Sequence, residues 1–331
     1  MNLKFKDKLH LVSFITNNAI IVLVIILMII TTIQSPNFIS VANLKNLLTN
    51  MAPRFIIACG ISGCLITKGT DLSAGRAVGM AACLTAMLVQ KVDYSARVLV
   101  GWPELPLPVI LIIVCAIMGI VSMINGIIIA ELKVPPFIST LGMQTIIYGF
   151  CQVITNNQPL GGFRKEYTAI TQGNIGFFPY IAIFAVVVGI YFYILYNHTR
   201  YGKYMYAIGG NETAAAVAGV NVAKQLILIY LLAGVMYALG GFLVGSKSGG
   251  ASTATGYGYE LEAIAACTIG GVSANGGVGK VSGILIGVLV FEMLKICLQF
   301  LGVDPAYTYV AQGVVIVVAV ALDLRKYLQK K

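Results

Sequence analysis

Long runs of apolar residues, each near the length needed to cross a bilayer, constrain this chain more than any other feature. The clearest are residues 19–33, 105–130, 177–196, 226–245 and 306–322. About 20 apolar residues in helical form span the hydrocarbon of a bilayer. Lipid offers backbone groups no hydrogen-bond partner, so such runs must be helical, and the alternating pattern of a β-barrel is not seen. The sequence predicts an all-α integral membrane protein.

Composition supports one membrane domain. Hydrophobic residues make up 58% of the 331 residues and charged residues 10%, and the mean hydropathy is +0.89, outside the range of soluble globular chains. Small residues four apart, such as Gly241 and Gly245, predict close helix packing. No loop is long enough for a separate domain, so residues 1–331 are expected to form a single transmembrane domain. About ten spans are predicted, at residues 15–33, 51–67, 74–90, 108–130, 137–154, 178–197, 225–245, 260–272, 282–301 and 306–323.

The positive charges predict the orientation of these spans. An even number of spans places both termini on one side. If that side is the cytoplasm, the inner segments hold fourteen Lys and Arg residues and the outer segments seven, as the positive-inside rule requires. The net charge of +10 is then an orientation signal and an attraction to anionic membrane lipid, and the scattered cations make no nucleic-acid surface. Residues 31–37 lack a signal-peptide cleavage pattern, so the first run is expected to remain as a span.

The sequence offers little for catalysis or metal binding. The seven cysteines lie in or beside apolar segments without C-x-x-C spacing, which favours buried hydrophobic side chains over disulfides or metal ligands. The stretch 270–280 is superficially like a phosphate-binding loop, but Ala274 and Val281 stand where such a loop requires Gly and Ser or Thr. No cluster of nucleophile, base and orienting group is recognisable. We therefore expect no metal, no cofactor and no enzymatic activity in this chain.

A predicted cytoplasmic loop, residues 206–220, contains a short helix with a signal at each end. Asn211 is a good N-cap, Glu212 suits the positive end of a helix dipole, and Gly219 can close the helix. A helix of about eight residues is marginal in water, and its surface of Ala and Val should be packed against something. It either lies on the bilayer or on the protein itself, or docks into a groove of a cytoplasmic partner.

Two glycine-rich interruptions, residues 67–76 and 270–280, separate adjacent spans on the predicted inner side. Paired broken segments in a transporter mark a substrate path or a hinge, although both could also be tight turns. In the first, Asp71 is expected to cap the following helix, and Lys68 and Arg76 lie near enough in sequence to neutralise it.

Polar residues inside the spans are candidates for a function. Glu292 and Lys295 lie three apart on one helix face and are expected to pair with each other, with a substrate or proton relay as the alternative. Glu260 and Glu262 are expected beside the outer water. The only tryptophan, Trp102, lies in an outer loop, so a tight pocket that stacks a ring on tryptophan is not expected within the spans, whereas a weak transit site is still allowed. The two interruptions and the polar residues of the spans together give the candidates for a path or gate, which are Asp71, Ser73, Gly75, Asn125, Thr140, Gln144, Gly276 and Gly277.

Three passages resemble the permease subunits of bacterial carbohydrate-uptake ABC transporters of the ribose, xylose and galactose type. They are residues 70–75, residues 207–222 and residues 259–266 with the Gly-Gly-Val-Ser that follows. The resemblance extends over nearly the whole chain. Residues 66–76 and 135–142 are most similar to the galactose/methyl-galactoside type, although the family more often has Gly-Gly-Ile before Asp-Leu-Ser. The pair Glu292 and Lys295 is not part of the family pattern.

The resemblance implies a permease domain in the cytoplasmic membrane that imports a monosaccharide, with galactose, methyl galactoside or glucose preferred. It implies a cytoplasmic ATPase subunit that carries ATP and Mg, an extracytoplasmic sugar-binding protein, and a second copy of this chain. The ATPase-coupling residues would be Gly209, Gly210, Asn211, Glu212, Ala214, Ala215 and Gly219. An ion-coupled secondary transporter is the alternative, but it usually needs carboxylates within the membrane, and the sequence places only Glu292 well inside a span.

Overall fold

The computed structural model describes residues 19–328 as a helical bundle with one two-residue β-hairpin. The terminal residues that carry Lys4, Lys6, Lys8, Lys330 and Lys331 lie outside the described residues, and so does the start of the predicted first span. In chain order the elements are α1 (Ala19–Gln34), α2 (Val41–Ile66), α3 (Ala74–Val89), α4 (Leu107–Ala130), α5 (Pro136–Thr155), α6 (Lys165–Gln172), β1 (Asn174–Ile175), β2 (Phe178–Pro179), α7 (Tyr180–His198), α8 (Arg200–Gly210), α9 (Glu212–Val217), α10 (Val222–Ser248), α11 (Tyr259–Ile269), α12 (Val281–Phe300) and α13 (Pro305–Leu328).

Six of these helices are long and apolar enough to cross a membrane: α2, α4, α5, α7, α10 and α12. The apolar helices α1 and α3 are shorter, with 16 residues each. α11 has 11 residues, which at a rise of about 1.5 Å per residue is about 16 Å, half the thickness of a bilayer core. The predicted full span at 260–272 is therefore corrected to a half-span.

The second span begins earlier than its apolar run suggested. Ser40 caps α2 by accepting a hydrogen bond from the Asn43 amide at 3.1 Å, so the helix starts ten residues before the predicted position 51. Lys45 and Arg54, two of the seven cations that the charge count assigned to outer segments, lie within this helix. Hydropathy misses polar helical turns, whereas the cap marks where the backbone becomes helical.

α10 lies at the centre of the bundle, packed against α2, α3 and α4. Glycines permit its close approach to its neighbours. A Cβ at Gly241 would overlap the Val78 carbonyl, and one at Gly234 would overlap the Met118 carbonyl. Association of helices in lipid depends on this kind of close contact between backbones, and the packing predicted at Gly241 is confirmed.

Two short helices, α3 and α11, begin beside each other within the bundle. A non-helical segment, residues 249–258, leads into α11, and Gly256 and Gly258 in it have φ of +77° and +78°, which favour glycine. Its backbone lies against the start of α3, because a Cβ at Gly75 would overlap the Gly256 carbonyl and the Glu260 carboxyl group. At its other end, α11 stops at Gly270, which packs on Gly283 near the start of α12. α12 is about 30 Å long, so α11 and α3 start about halfway along it.

Candidate functional site

The short helix predicted after the sixth span is present as α9, with both predicted caps. Asn211 Oδ1 accepts a hydrogen bond from the Ala214 amide at 2.9 Å. At the other end Gly219 has φ +87°, and the amides of Gly219 and Val220 donate to the carbonyls of Ala216 and Ala215 at 3.0 Å. This pair of bonds is a Schellman motif. α9 has six residues, fewer than the eight expected.

One face of α9 rests on the protein and the other is exposed. Ala215 is 4% exposed and packs in a small apolar cluster with Ala130, Ile208 and Leu226. Glu212, Ala214 and the other residues of the helix are exposed, and Val217 is 86% exposed. Ala215 therefore packs the helix onto its own chain, and only the exposed residues of α9 are available to contact a partner.

The segment before α9 is helical rather than a loop. Residues 206–210 form the last turn and a half of α8, so Gly209 and Gly210 lie at a helix end. Gly209 packs directly on the Ile66 carbonyl and the Gly277 amide, and a Cβ there would overlap both. Gly210 has no atom within 4 Å of where its Cβ would be. Two adjacent glycines thus serve different purposes, since one permits close packing and the other faces open space.

Both glycine-rich interruptions meet the end of α8 at one end of the bundle. The Gly277 amide donates to the Ile66 carbonyl at 2.8 Å, and Lys68 Nζ donates to the Gly210 carbonyl at 3.3 Å. A Cβ at Gly276 would lie 2.7 Å from the Gly209 carbonyl oxygen, and its φ is +85°. The predicted candidates Gly276 and Gly277 therefore lie at the contact between the loop 270–280 and α8, which is a joint between segments.

A tyrosine completes this joint. Burial raises the pKa of the Tyr206 hydroxyl above its usual value, so the hydroxyl stays protonated, and it donates to the Gly279 carbonyl at 2.8 Å. α8, the residues after α2 and the loop before α12 are thus hydrogen-bonded to one another. The joint therefore connects α8 to the end of α2 and to the start of α12.

Four of the predicted path residues form a buried hydrogen-bond network. The Asp71 carboxyl group accepts hydrogen bonds from the Ser73 amide at 2.9 Å, the Ser73 hydroxyl at 2.6 Å and the Tyr237 hydroxyl at 3.0 Å. Asn125 Nδ2 donates to Ser73 Oγ at 3.2 Å, and the Thr140 hydroxyl accepts from the Leu72 amide at 3.2 Å. These four residues, Asp71, Ser73, Asn125 and Thr140, are at most 1% exposed. They fix the start of α3 to α4, α5 and α10, and their burial keeps them off the surface of the described chain.

The cations near Asp71 in sequence do not neutralise it. Arg76 donates to the Thr253 carbonyl at 2.9 Å, and its guanidinium lies 4.3 Å from the ring centroid of Tyr148 and 5.0 Å from that of Tyr257. Lys68 reaches toward Gly210 instead. The expectation that Lys68 or Arg76 pairs with Asp71 is wrong, because the carboxyl group points into the bundle, where hydroxyl and amide donors surround it.

Two other path candidates lie near this group. Gln144 is half-buried, one helical turn from Thr140 and one from Tyr148 on the same face of α5. Gly75 lies against the carboxyl group of Glu260, whose Oε2 is buried and has no hydrogen-bond partner. Glu260 is 6% exposed, so the expectation that it lies beside the outer water is wrong.

A second cluster, which sequence reasoning missed, joins four ionisable side chains from three helices. Arg54 Nε lies 3.1 Å from Glu262 Oε2 and 3.2 Å from Glu292 Oε2, and Lys295 Nζ lies 2.6 Å from Glu262 Oε2. We call Arg54, Glu262, Glu292 and Lys295 the ionic quartet. It balances two cations with two carboxylates and ties α11 to α2 and α12. A crevice beside it is lined by Arg54, Tyr259, Glu262 and apolar residues.

The quartet corrects two further predictions. Glu292 pairs with Arg54 on another helix, not with Lys295 three residues along its own helix. Glu262 is held in ion pairs inside the bundle and does not face the outer water. Asp71, Glu260 and Glu292 are all nearly fully buried, so Glu292 is not alone inside the bundle. Arg54 in a helix with an otherwise apolar second half was the sequence signal that could have revealed the quartet.

Among the described residues, no group of three or more His, Cys, Asp or Glu side chains could hold a metal ion. The seven cysteines are free, six of them buried and Cys115 half-buried. Their placement matches the prediction that they act as small apolar side chains.

The comparisons with known proteins agree with the motifs. Residues 43–320 match the family model described as "Branched-chain amino acid transport system / permease component". The chain is 43% identical over 326 residues to the galactose/methyl galactoside import permease of Haemophilus influenzae, covering 96% of this chain and 97% of the relative. It is 42% identical to the same permease of Escherichia coli, covering 98% and 99%, and 38% identical to the ribose import permease of Bacillus subtilis, covering 91% and 90%. No solved structure matches.

These matches extend over nearly the full length of both proteins, and the six long apolar helices agree with them. The protein is thus a multi-pass component of the inner membrane. The resemblance predicted from residues 70–75, 207–222 and 259–266 is confirmed, and the chain belongs to the family of permease components of import systems.

Proposed function

We propose that this chain is the membrane-spanning subunit of an ATP-driven importer of a monosaccharide, with galactose or methyl galactoside as the preferred substrate. The observation that carries the proposal is the identity of 42–43%, over nearly the whole chain, to import permeases named for these sugars. The permease named for ribose is 38% identical, which supports a monosaccharide more generally. Glucose is a further candidate substrate.

The proposal includes the assembly around this subunit. A separate cytoplasmic ATPase binds ATP and Mg and hydrolyses the nucleotide, and this chain has no catalytic role. An extracytoplasmic binding protein delivers the sugar, and two copies of the chain enclose one central path. Each copy contributes about ten membrane helices, the short α11 among them, and both termini are cytoplasmic.

In this proposal α9 is the coupling helix on which the ATPase acts. Its support is geometric, because α9 is capped at both ends and exposes Val217 at 86%. α9 is seated through Ala215, so a partner that grips its exposed face would move the joint formed with Ile66, Gly209 and Gly277. ATP-driven movement at this joint would switch the bundle from outward-open to inward-open.

The coupling role is tested by Val217→Arg. A buried charge without a partner is costly at an interface, so this variant should reduce sugar uptake at least tenfold and remove stimulation of the ATPase by the loaded binding protein. Val100→Arg is the matched control, because Val100 is 82% exposed in the predicted outer loop. The control should transport normally. Normal uptake by Val217→Arg would refute docking at α9.

A second variant, at the end of α8 next to α9, tests the same contact with the ATPase. Gly210→Trp has open space for its side chain, so the fold should tolerate it while the partner surface is blocked. Ala215→Arg is less informative, because Ala215 is buried and the variant would unseat α9 within its own chain.

An ion-coupled secondary transporter remains the rival function. The buried carboxyl groups of Asp71, Glu260 and Glu292 provide the groups that such a protein needs, although the permease relatives favour the importer. Collapsing the proton gradient while ATP is maintained separates the two. The importer continues uptake, whereas the rival stops.

A further inference from the structure

Where α3 and α11 begin side by side, four polar and aromatic side chains come together to which the mechanism above assigns no role. Arg76 extends from the first turns of α3, Tyr148 from α5, and Tyr257 from the segment that leads into α11. Glu260 lies in the first turn of α11. We call these four residues the Arg76 cluster.

The exposed side of the cluster is expected to face water. Tyr257 is 70% exposed and the residues around it are partly exposed, although α11 begins only about halfway along the bundle. Non-helical backbone at membrane depth is tolerated only where it is buried in protein or lines a water-filled cavity. A surface of this kind is therefore not expected against lipid, and it is placed to border the path that two copies of the chain would enclose.

We propose that the Arg76 cluster is a weak transit site for the pyranose ring of the imported sugar. This inference rests on the proposed function and assigns residues to its path. The apolar face of a pyranose packs against the exposed Tyr257 ring, while its hydroxyls accept hydrogen bonds from the Arg76 guanidinium. Arg76 is oriented for this by the Thr253 carbonyl at 2.9 Å and by the Tyr148 ring at 4.3 Å.

Glu260 adds an acceptor to the same site. Its side chain is 6% exposed, and its Oε2 is buried without a hydrogen-bond partner. Buried polar atoms normally have partners, so this one indicates a donor that is absent in this conformation. Because the carboxyl group lies against Gly75, separation of α11 from α3 during transport would expose it to a sugar hydroxyl.

The site has the composition expected for transit and not for storage of the sugar. A single exposed tyrosine ring and one guanidinium provide a contact that is weak enough to release the substrate, as conduction requires. Selection of the sugar would then be shared with the binding protein. Gln144 lies between Tyr148 of the cluster and Thr140 of the Asp71 network on one face of α5.

Transport kinetics of the complete importer provide the first test. Tyr257→Ala should lower uptake of labelled methyl galactoside about tenfold at a subsaturating concentration of loaded binding protein, which is about 1.4 kcal/mol. ATPase stimulation should be unchanged. Tyr309→Ala is the control, because Tyr309 is also 70% exposed but lies on α13, and it should transport normally. Unchanged uptake by Tyr257→Ala would overturn the proposal.

Chemical labelling provides a second test that does not depend on uptake. The native cysteines are buried or half-buried, so Ala254→Cys, at an exposed position beside the cluster, gives a defined target for a charged thiol reagent. Labelling should occur and should be slowed several-fold by methyl galactoside during turnover. Adding Tyr257→Ala should abolish that protection. Labelling at the same rate with and without the sugar, or no labelling at all, would refute the site.

These experiments distinguish a failure of the proposed function from a failure of the transit site. If the unmodified complex does not take up sugar with ATP, the proposed function is wrong. If it does, and either the Tyr257→Ala or the Ala254→Cys variant behaves as if no site were present, only the assignment of the Arg76 cluster is wrong.

Discussion

At the scale of single residues, this bundle accommodates its buried charged groups in two different ways. Asp71 has no ion pair among the described residues and is held by hydroxyl and amide donors. The ionic quartet, in contrast, balances its charges between three helices. Each arrangement removes the cost of a buried charge in a different way, and each predicts a different response to substitution.

Two buried tyrosines on α10 allow a matched test of the Asp71 network. The Tyr237 hydroxyl donates to Asp71 at 3.0 Å, whereas the Tyr230 hydroxyl is buried without a hydrogen-bond partner. Tyr237→Phe should lower the free energy of unfolding by about 1.5–3 kcal/mol, because it removes a hydrogen bond to a carboxyl group. Tyr230→Phe should be neutral or stabilising. Equal losses for the two variants, measured by denaturant titration in mixed micelles, would contradict the network.

The quartet predicts that two substitutions will not be additive. Arg54→Gln leaves the carboxylate of Glu292 buried without its cation and should cost about 3–5 kcal/mol of unfolding free energy. Adding Glu292→Gln removes that uncompensated charge, so the double variant should recover part of the loss. Lys91→Gln, at an exposed position, controls for the loss of one positive charge and should be neutral. A double variant that is less stable than Arg54→Gln would show that the ion pair has no such role.

At the scale of elements, apolar runs predicted the helices well, and their interruptions less well. The caps of α9 at Asn211 and Gly219 were predictable, because capping depends on the local residue types. The half-helix α11 was not, because its lead-in 249–258 reads as an ordinary glycine-rich outer loop. Its return into the bundle depends on contacts with Gly75 and Gly79, which are more than 170 residues away in sequence.

Sequence reasoning found the residues of the Asp71 network but misjudged their partners. Asp71 and Ser73 were singled out in the first glycine-rich interruption, and Asn125 and Thr140 as polar side chains within spans. The structure brings the four together. Pairing was inferred from short sequence spacing, so Glu292 was matched with Lys295. Charged side chains in a membrane bundle choose partners on neighbouring helices, and sequence spacing does not report that choice.

The contact between α3 and the segment 249–258 predicts opposite effects for two glycine substitutions. A Cβ at Gly79 would overlap the Thr255 carbonyl, whereas a Cβ at Gly149 on α5 meets nothing within 4 Å. Gly79→Ala should cost about 1–3 kcal/mol of stability through overpacking. Gly149→Ala should be neutral or stabilising, because alanine favours the helix. Equal thermal stability of both variants in detergent would contradict the packing of the half-helices.

At the scale of the whole molecule, α9 and the outer loops should lie on opposite sides of the membrane. Val217 on α9 and Val100 after α3 are 86% and 82% exposed, so a cysteine at either position should react readily. In sealed right-side-out vesicles, an impermeant thiol reagent should label Val100→Cys and spare Val217→Cys. Labelling of both from the same side would contradict the orientation predicted from the positive charges.

The central claim also concerns the whole molecule. It is that this subunit transports sugar only when a separate ATPase acts on it. The most direct measurement is accumulation of labelled galactose or methyl galactoside in vesicles that contain the purified chain. Uphill accumulation should require the ATPase, the binding protein and ATP together, and it should persist when the proton gradient is collapsed. Accumulation against a gradient by this chain alone, with no companion subunit and no ATP, would contradict the account.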